Sequence, residues 1–168
     1  MQIKEVVSAQ KERLQTILSP QERALGEIIF NNGLREVMNR LYSPHPDGYC
    51  GDEDNGQTSA WYVFTAMGFY PVAPATDEYV IGAPLFKKIT VSLENGKTIE
   101  IDAPENNAEN RYVQAIQMNG TEYGKNYFDF SELMNGAKIS FKMGKQPNRN
   151  RGTGEAAFPY SFSNEYNK

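Results

Sequence analysis

The amino-acid sequence predicts an α+β protein, with a helical segment over residues 1–72 and an antiparallel, β-sandwich-like domain over residues 73–168. Two observations lead to this prediction. Apolar residues recur at helical spacing up to about residue 67, and beyond Pro74 they alternate with polar residues, as in strands with one buried face. Asn-Gly pairs between the alternating runs indicate tight hairpin turns.

Three helices are predicted before the first cluster of prolines. The first covers residues 3–18, and the second begins at Ser19-Pro20, where serine caps the helix and proline occupies its first turn. Pro44 and Pro46 end the third, because proline rings cannot continue a helix and push the preceding residues into extended conformations. The third helix is indicated by apolar residues at i, i+3, i+4 and i+7, namely Leu34, Val37, Met38 and Leu41.

Residues 58–67 (TSAWYVFTAM) predict a helix of another kind. The segment is apolar on nearly every side, so a helix here is expected to be buried all round. Gly68 and Pro71 are expected to end it. The helix directly follows a loop, residues 47–57, that is rich in glycine and carboxylates.

The segment from 89 to 103 predicts a β-hairpin. Apolar residues alternate with polar ones over 89–93 and again over 99–103, and Asn95-Gly96 between them predicts a type I′ turn. Two further strands are predicted at 112–118 and 139–143, with Asn119-Gly120 as a second tight turn.

The composition excludes several classes of protein. With 17 Lys and Arg against 21 Asp and Glu in 168 residues, the net charge is −4, so a basic face for nucleic acid is not expected. No run approaches the roughly 18 to 20 apolar residues of a membrane helix, and the first ten residues do not resemble a signal peptide. One cysteine and one histidine exclude an internal disulfide, a thiolate zinc site and a histidine-based triad.

The loop residues Asp52, Glu53 and Asp54 are the densest polar group. In an extended segment, side chains at i and i+2 point the same way, so Asp52 and Asp54 are expected to face one pocket and Glu53 the other side. Such a pair could activate water as a general base or bind a hard cation such as calcium. The alternative is that Asp54 or Asn55 is only a helix N-cap and the other carboxylates are solvated. An EF-hand fails, because Gly56 stands at one of its ligand positions.

A group of aromatic residues follows the acidic loop. Aromatic faces can stack on the apolar faces of sugar rings, but residues at this density usually fill a core. Core packing is the expectation for Phe64 and Phe69, whereas Trp61 and Tyr70 fit either role. His45, between two prolines, is expected to be a loop residue.

The run DGYCGDEDNGQTSAWYVFTAMGFYPVAPATDEYVIGAPLF (47–86) continues through NGKTIEI, the Asn119-Gly120 turn and FKMGKQPN. This pattern closely resembles the C-terminal part of glycoside hydrolase family 92, the calcium-dependent exo-acting α-mannosidases. The resemblance covers about Gly33 to about Tyr160. It implies an inverting α-mannosidase whose catalytic domain is an (α/α)₆ barrel, so that residues 1–72 would be a remnant of the barrel and residues 73–168 its C-terminal β domain.

The resemblance also implies roles for individual residues. Asp54 is expected to be the general base with Asp52 as its partner, both also binding calcium, while Trp61, Gln57 and Glu53 are expected to contact substrate. Inversion needs a separate general acid, with the two carboxyls roughly 6.5–9.5 Å apart. The family's acid is a Glu far upstream, in a part that this chain does not contain. The isolated chain is therefore expected to bind calcium weakly and to be inactive.

Two functions are carried forward from the sequence. The first is the α-mannosidase fragment, with a mannose-containing glycan as substrate and the missing N-terminal part of the enzyme, or a second copy, as partner. The alternative is a non-catalytic carbohydrate- or protein-binding module. The packing of the 58–67 helix distinguishes the two functions. A module that folds without a partner would pack this helix on its β domain, whereas a fragment would leave it exposed. The family is periplasmic or secreted, but the chain carries no signal that assigns its own localisation.

Overall fold

The computed structural model describes residues 33–73 and 75–161. The predicted helices at 3–18 and from Ser19-Pro20 onward lie outside these ranges. The described part begins with helix α1 (33–41) and continues through the acidic loop into helix α2 (Gln57–Met67). No helix in these two ranges is both long and apolar enough to cross a bilayer.

Both helices match the sequence prediction closely, and α2 ends at the expected glycine. Gly68 has a φ of 93°, in the left-handed region, and its N–H donates to the carbonyls of Phe64 and Thr65. A side chain here would also collide with Pro84, because an added Cβ would lie 2.8 Å from the Pro84 nitrogen. Gly68 therefore both ends α2 and allows the chain to pass close to the loop at 82–85.

The predicted burial of α2 on all sides is wrong. Thr65 and Ala66 are buried, and Phe64 and Met67 pack against the core, whereas Val63 on the other side is 54% exposed. Among the described residues only the face turned toward the sheets is covered. The helix thus finds cover on the β structure with one face and leaves the other open.

Eight strands and a short helix follow. In chain order they are β1 (Phe69–Tyr70), β2 (Glu78–Ile81), β3 (Lys88–Ser92), β4 (Thr98–Asp102), β5 (Tyr112–Met118), β6 (Thr121–Glu122), β7 (Tyr127–Asp129), helix α3 (Phe130–Met134) and β8 (Ala137–Gly144). A 3₁₀ turn covers Glu155–Ala157. The predicted strands at 89–93, 99–103, 112–118 and 139–143 correspond to β3, β4, β5 and β8.

The strands form two sheets, in the orders β1-β2-β7 and β3-β4-β8-β5-β6. All pairings are antiparallel except β4 with β8, which run parallel with Ile101 opposite Ile139. The α+β class is confirmed, but the expectation of a wholly antiparallel domain is wrong at this pair. The alternation of apolar residues in β8 shows which face is buried and carries no information on the direction of the neighbouring strand.

The two Asn-Gly turns differ from each other. Gly96 has a φ of 78° but Asn95 does not have a positive φ, and the Gly96 N–H donates to the Leu93 carbonyl at 3.0 Å. This is the three-residue hairpin loop with glycine in the left-handed position, so the predicted type I′ turn is wrong here. Asn119 and Gly120 have φ values of 53° and 82°, as a type I′ turn requires.

Both sheets contribute side chains to one core. Fully buried residues of the larger sheet, including Ile101, Ile139 and Phe141, belong to the same cluster as Phe69 and Phe128 of the smaller sheet. The alternation in β8, where every second side chain is buried, directs its apolar face into this cluster. Burial of these side chains is the main stabilising contribution to the β structure.

Helix α1 is attached to the β structure by Arg35. Arg35 is 8% exposed, and its guanidinium donates to the Pro84 carbonyl at 2.5 Å and to Asn106 Oδ1 at 3.0 Å. Burial lowers the pKa of Arg35, and the nearby charge of Arg111 adds to this effect. In the described residues its hydrogen-bond acceptors are all neutral, so the cost of burying the charge is offset by oriented carbonyl dipoles.

Replacing Phe128 with alanine is expected to lower the free energy of unfolding by about 3–5 kcal/mol, because a fully buried ring leaves a cavity. Phe130, two residues further on, is exposed and stacks only on Tyr79, so Phe130→Ala should cost about 1 kcal/mol or less. Urea denaturation of both variants measures the difference. Equal losses would contradict the position of the core.

Candidate active site

The acidic loop reaches α2 through three residues in the left-handed region. Asp54, Asn55 and Gly56 have φ values of 54°, 58° and 96°, which is uncommon for residues with a side chain. The loop is therefore not extended at Asp54, and the expected i, i+2 arrangement of Asp52 and Asp54 does not apply. Both residues are exposed, and neither carboxylate forms a hydrogen bond or ion pair with another side chain or backbone group in the described ranges.

Glu53 has a different role from its neighbours. Its carboxylate accepts hydrogen bonds from the N–H groups of Gly56 and of Ser59, the latter at 3.1 Å. A hydrogen bond from the Ser59 side chain, and then the N–H donors of Ser59 and Gly56, lower the pKa of Glu53. Glu53 thus satisfies free N–H groups at the start of α2, as a capping side chain does.

The alternative that Asp54 or Asn55 caps α2 is wrong. The N-cap residue is Gly56, which has no capping side chain, and Glu53 supplies the missing acceptors from three residues earlier. Capping rules place the acceptor at the N-cap residue itself, so the sequence pattern favoured the wrong carboxylate. As a consequence, the carboxylates of Asp52 and Asp54 are not used by the helix.

Aromatic rings surround Tyr42 at the end of the loop that follows α1. The ring centroids of Tyr62, Trp61 and Tyr49 lie 5.1, 5.5 and 5.8 Å from that of Tyr42, and the Trp61 ring is stacked on it. The Tyr49 hydroxyl is 2.6 Å from Ser59 Oγ, so this group is joined to the start of α2. We call Tyr42, Tyr49, Trp61 and Tyr62 the aromatic group.

The remaining predicted aromatic residues lie elsewhere. Phe69 is buried in the core and Phe64 packs against it, with ring centroids 6.1 Å apart, so the prediction of core packing is confirmed for both. Tyr70 has an edge contact with Phe64. Of the two open cases, only Trp61 belongs to the aromatic group near the acidic loop.

The aromatic group borders an open cleft of about 570 Å³. Its other wall is the 43–48 turn, where the Ser43 N–H donates to the Gly48 carbonyl and the Gly48 N–H donates to the His45 carbonyl, each at 2.9 Å. A Cβ on Gly48 would lie 2.0 Å from the Ser43 oxygen, so the turn requires glycine. His45 is an exposed loop residue, as predicted, and lines the cleft.

Sequence reasoning missed Tyr42 and Tyr49 as members of the site. They stand on either side of a proline-rich loop, and neither fits a helical or alternating pattern. Their closeness in sequence to the acidic loop could have identified them as candidates. Their contact with Trp61 and Ser59, however, depends on the turn at 43–48, which returns the chain toward α2.

The carboxylates of the acidic loop do not form a complete calcium site by themselves. In the described ranges no three Asp, Glu, His or Cys side chains are grouped so that they could bind one metal ion. Calcium takes six to eight oxygen ligands, whereas this loop presents the two free carboxylates of Asp52 and Asp54, with Glu53 bonded to the helix start.

The sequence model of the glycosyl hydrolase family 92 catalytic domain matches residues 31–145, which include the acidic loop, α2 and most of the β structure. The chain belongs to glycoside hydrolase family 92. This family of glycosidases is the one indicated by the sequence resemblance, which is thereby confirmed. The acidic loop and the aromatic group therefore lie in part of a glycosidase catalytic domain.

Solved and curated relatives agree with this assignment. An inverting mannosidase of this family from Bacteroides thetaiotaomicron is 48% identical, with a TM-score of 0.74 over 88% of this chain. An α-mannosidase from the same organism, whose structure is also known in complex with mannoimidazole, is 37% identical, with a TM-score of 0.78 over 84% of this chain. An uncharacterized secreted glycosidase from Arthroderma benhamiae is 30% identical over 118 residues, 68% of this chain.

The chain spans only a small part of these relatives. It covers 19% of each of the two bacterial mannosidases and 15% of the fungal glycosidase. The described residues form a small α+β structure with two sheets, and this structure is similar to part of the 48% identical mannosidase.

Replacing Glu53 with alanine is expected to loosen the start of α2, because the N–H groups of Gly56 and Ser59 lose their acceptor. Hydrogen exchange of the Ser59 amide should become faster. The matched control is Asp52→Ala, which removes an exposed carboxylate from the neighbouring position and should leave that amide unchanged. Equal protection in wild type and Glu53→Ala would contradict the capping role.

Proposed function

We propose that this chain is the C-terminal part of an inverting, exo-acting α-mannosidase that hydrolyses terminal α-mannosides, such as α-1,2-linked ones. The single observation that supports this most is the family match over 31–145, which includes the acidic loop in full. The 48% identity to an inverting mannosidase supports the substrate class and the stereochemistry. In this proposal, residues 1–72 belong to an (α/α)₆ barrel and residues 73–168 form its C-terminal β domain.

Asp54 is the proposed general base, assisted by Asp52. An ionised carboxylate that is free of protein partners can accept a proton from water as the water attacks the sugar. The left-handed backbone at 54–56 and the capping role of Glu53 leave Asp54 exposed at the helix start. The general acid must lie on the other side of the sugar, roughly 6.5–9.5 Å away, so it is assigned to the family's upstream Glu.

Three residues are proposed to contact substrate. Trp61 is partly exposed in the aromatic group, and Gln57 is exposed at the first position of α2. Glu53 is the weakest of the three, because its carboxylate already accepts N–H groups of the loop and helix. Trp61 would supply an apolar face for the sugar ring, and Gln57 an amide for its hydroxyls.

Calcium is proposed only for the assembled family enzyme. Asp52 and Asp54 would contribute ligands, and the other oxygens would come from the larger part of the family fold. When bound, the ion would polarise sugar hydroxyls. The roles proposed above for Asp54 and Trp61 do not depend on it.

The second candidate is a non-catalytic module that binds carbohydrate or protein. It is favoured by the common core of both sheets and by the apolar side chains that α1 and α2 leave exposed, namely Val37, Leu41 and Val63. Exposed apolar groups of this kind indicate an interaction surface. We propose that the rest of the family fold, or a second copy of the chain, covers them. A secreted or periplasmic location is proposed from the fungal relative, whose name describes a secreted glycosidase.

The test of the base is Asp54→Asn in an assembled enzyme, made by joining this chain to the N-terminal part of the 48% identical mannosidase. An amide cannot accept the proton of water, so mannose release is expected to fall by about 10²–10⁴-fold with the fold unchanged. Asp47→Asn, which alters another exposed carboxylate of the same loop, is the control. Activity of Asp54→Asn within a few-fold of wild type would remove Asp54 from this role.

The isolated 168-residue chain is expected to release no mannose from an α-mannoside, because the proposed general acid is not among its residues. Enzymatic assay of free mannose after prolonged incubation measures this. If the chain released more mannose than the same chain carrying Asp54→Asn, the assignment of the general acid to a residue outside this chain would be refuted.

A further inference from the structure

An asparagine followed by glycine can lose its side-chain amide spontaneously, because glycine has no side chain to shield its backbone nitrogen. Four such pairs lie wholly within the described residues, namely Asn55-Gly56, Asn95-Gly96, Asn119-Gly120 and Asn135-Gly136. We propose that the structure holds the last three in place and leaves Asn55 open to deamidation, so that the acidic loop carries a site of chemical modification.

The reaction needs no reactant other than water. The backbone nitrogen of Gly56 bonds to Cγ of Asn55 and loses its proton to solvent, while the bond from Cγ to Nδ2 breaks, Nδ2 takes up a proton and ammonia leaves. The product is a cyclic imide. Water then opens this ring at Cγ to give aspartate, or at the backbone carbonyl carbon to give isoaspartate, in which the main chain runs through the former side chain. The sum is asparagine plus water to an aspartyl residue plus ammonia.

The side chain of Asn55 is free to move toward the next backbone nitrogen. Asn55 is exposed, and its amide forms no hydrogen bond with any residue that the structure describes. Its φ of 58° shows that the backbone here belongs to a loop and not to a strand or helix. Only rotation within an exposed loop is therefore needed to bring Cγ to the nitrogen of Gly56.

The other three asparagines are held by hydrogen bonds at Oδ1. Asn95 accepts from the Lys97 N–H at 3.0 Å, and Asn135 accepts from the Lys97 ammonium at 3.1 Å. Asn119 accepts from the Lys138 N–H at 2.8 Å and stands between the paired strands β5 and β6, which fix its turn. Each of these bonds must break before the side chain can turn, so we expect slower reaction at all three.

The attacking nitrogen is itself under the control of Glu53. The N–H of Gly56 donates to the Glu53 carboxylate, and a hydrogen bond to the protonated form disfavours loss of the proton. This bond lies at the exposed surface of the loop, whereas the N–H groups of Gly96 and Gly136 donate to backbone carbonyls, each at 3.0 Å. We therefore infer that Glu53 slows the reaction at Asn55 without preventing it.

Deamidation would change both the charge and the backbone of the acidic loop. It adds a carboxylate next to Asp54, where Asp52 and Glu53 already repel one another and Asp54. Isoaspartate also lengthens the main chain immediately before Gly56, the N-cap residue of α2. The bonds from Gly56 and Ser59 to Glu53 require the present path of the chain, so the start of α2 is expected to loosen in the modified protein.

The experiment incubates the full 168-residue chain at mildly alkaline pH and maps its peptides by mass spectrometry over time. The change from amide to acid is followed separately at Asn55, Asn95, Asn119 and Asn135. Conversion of Asn55 is expected to be at least several-fold faster than at each of the others. In urea the four rates should converge, because all four asparagines precede glycine. Conversion in the folded chain that is equal at the four sites, or faster at another of them, would overturn the proposal.

Two variants test the control by Glu53. Glu53→Ala frees the N–H of Gly56 and is expected to speed conversion of Asn55 by at least several-fold, with the rate at Asn95 unchanged. Asp52→Ala, which removes a neighbouring exposed carboxylate that does not bond to Gly56, is the matched control and should leave both rates unchanged. An equal rate at Asn55 in wild type and Glu53→Ala would refute the control by Glu53.

The modification does not rest on the proposed function, but its effect on turnover does. In the assembled enzyme, mannose release is expected to fall as Asn55 converts. Asn55→Gly, which has no amide to lose and tolerates the left-handed backbone, should keep its own activity during the same incubation. An equal decline in both would overturn the effect on turnover. Retained turnover by Asp54→Asn would refute the base assignment and leave the mass measurement on the chain unaffected.

Discussion

The position of helix α1, and with it the segment that leads into the acidic loop, depends on the buried side chain of Arg35. This side chain joins helix α1 to the loop at 82–85 and, through Asn106, to the turn that follows β4. The amide of Asn106 also donates to the carbonyls of Pro84 and Leu85, so one compact network anchors three segments. A buried charge is costly unless it is hydrogen-bonded, and removal of these acceptors would leave it uncompensated. The network therefore holds the segment that leads into the acidic loop against the two sheets.

The three adjacent carboxylates of the acidic loop have different roles. Asp52, Glu53 and Asp54 would repel one another if all three were directed to the same space. Instead, Glu53 turns back to the N–H groups at the start of α2, where the helix dipole favours a negative charge. The carboxylate of Glu53 stabilises the start of α2, and those of Asp52 and Asp54 do not bond to the helix. This arrangement explains how a short loop keeps so high a density of negative charge beside a helix.

The described structure has apolar side chains of two kinds, those buried in its own core and those exposed on the helices. The sheets share a core that includes Phe128 and Ile101, and one face of α2 closes it. Val37 and Val63, on the helices, are exposed although they are apolar. The two bacterial mannosidases are about four and a half times as long as this chain, because 88% and 84% of this chain cover 19% of each of them. In our proposal, the helical surface, which also carries the acidic loop and the aromatic group, is the one that faces the larger part of the family fold.

The sequence alone determined the helices at 34–41 and 58–67, the strands at β3, β4, β5 and β8, and membership of the family, because local periodicity and a dense motif carry this information. It did not show that β8 pairs in parallel with β4, that Asn95-Gly96 differs from Asn119-Gly120, or that Glu53 rather than Asp54 serves the helix. Those features depend on partners that are distant in sequence or on backbone angles set by neighbouring bonds. The tertiary structure alone brought Tyr42 and Tyr49 to Trp61 and Ser59, because the turn at 43–48 reverses the chain between them.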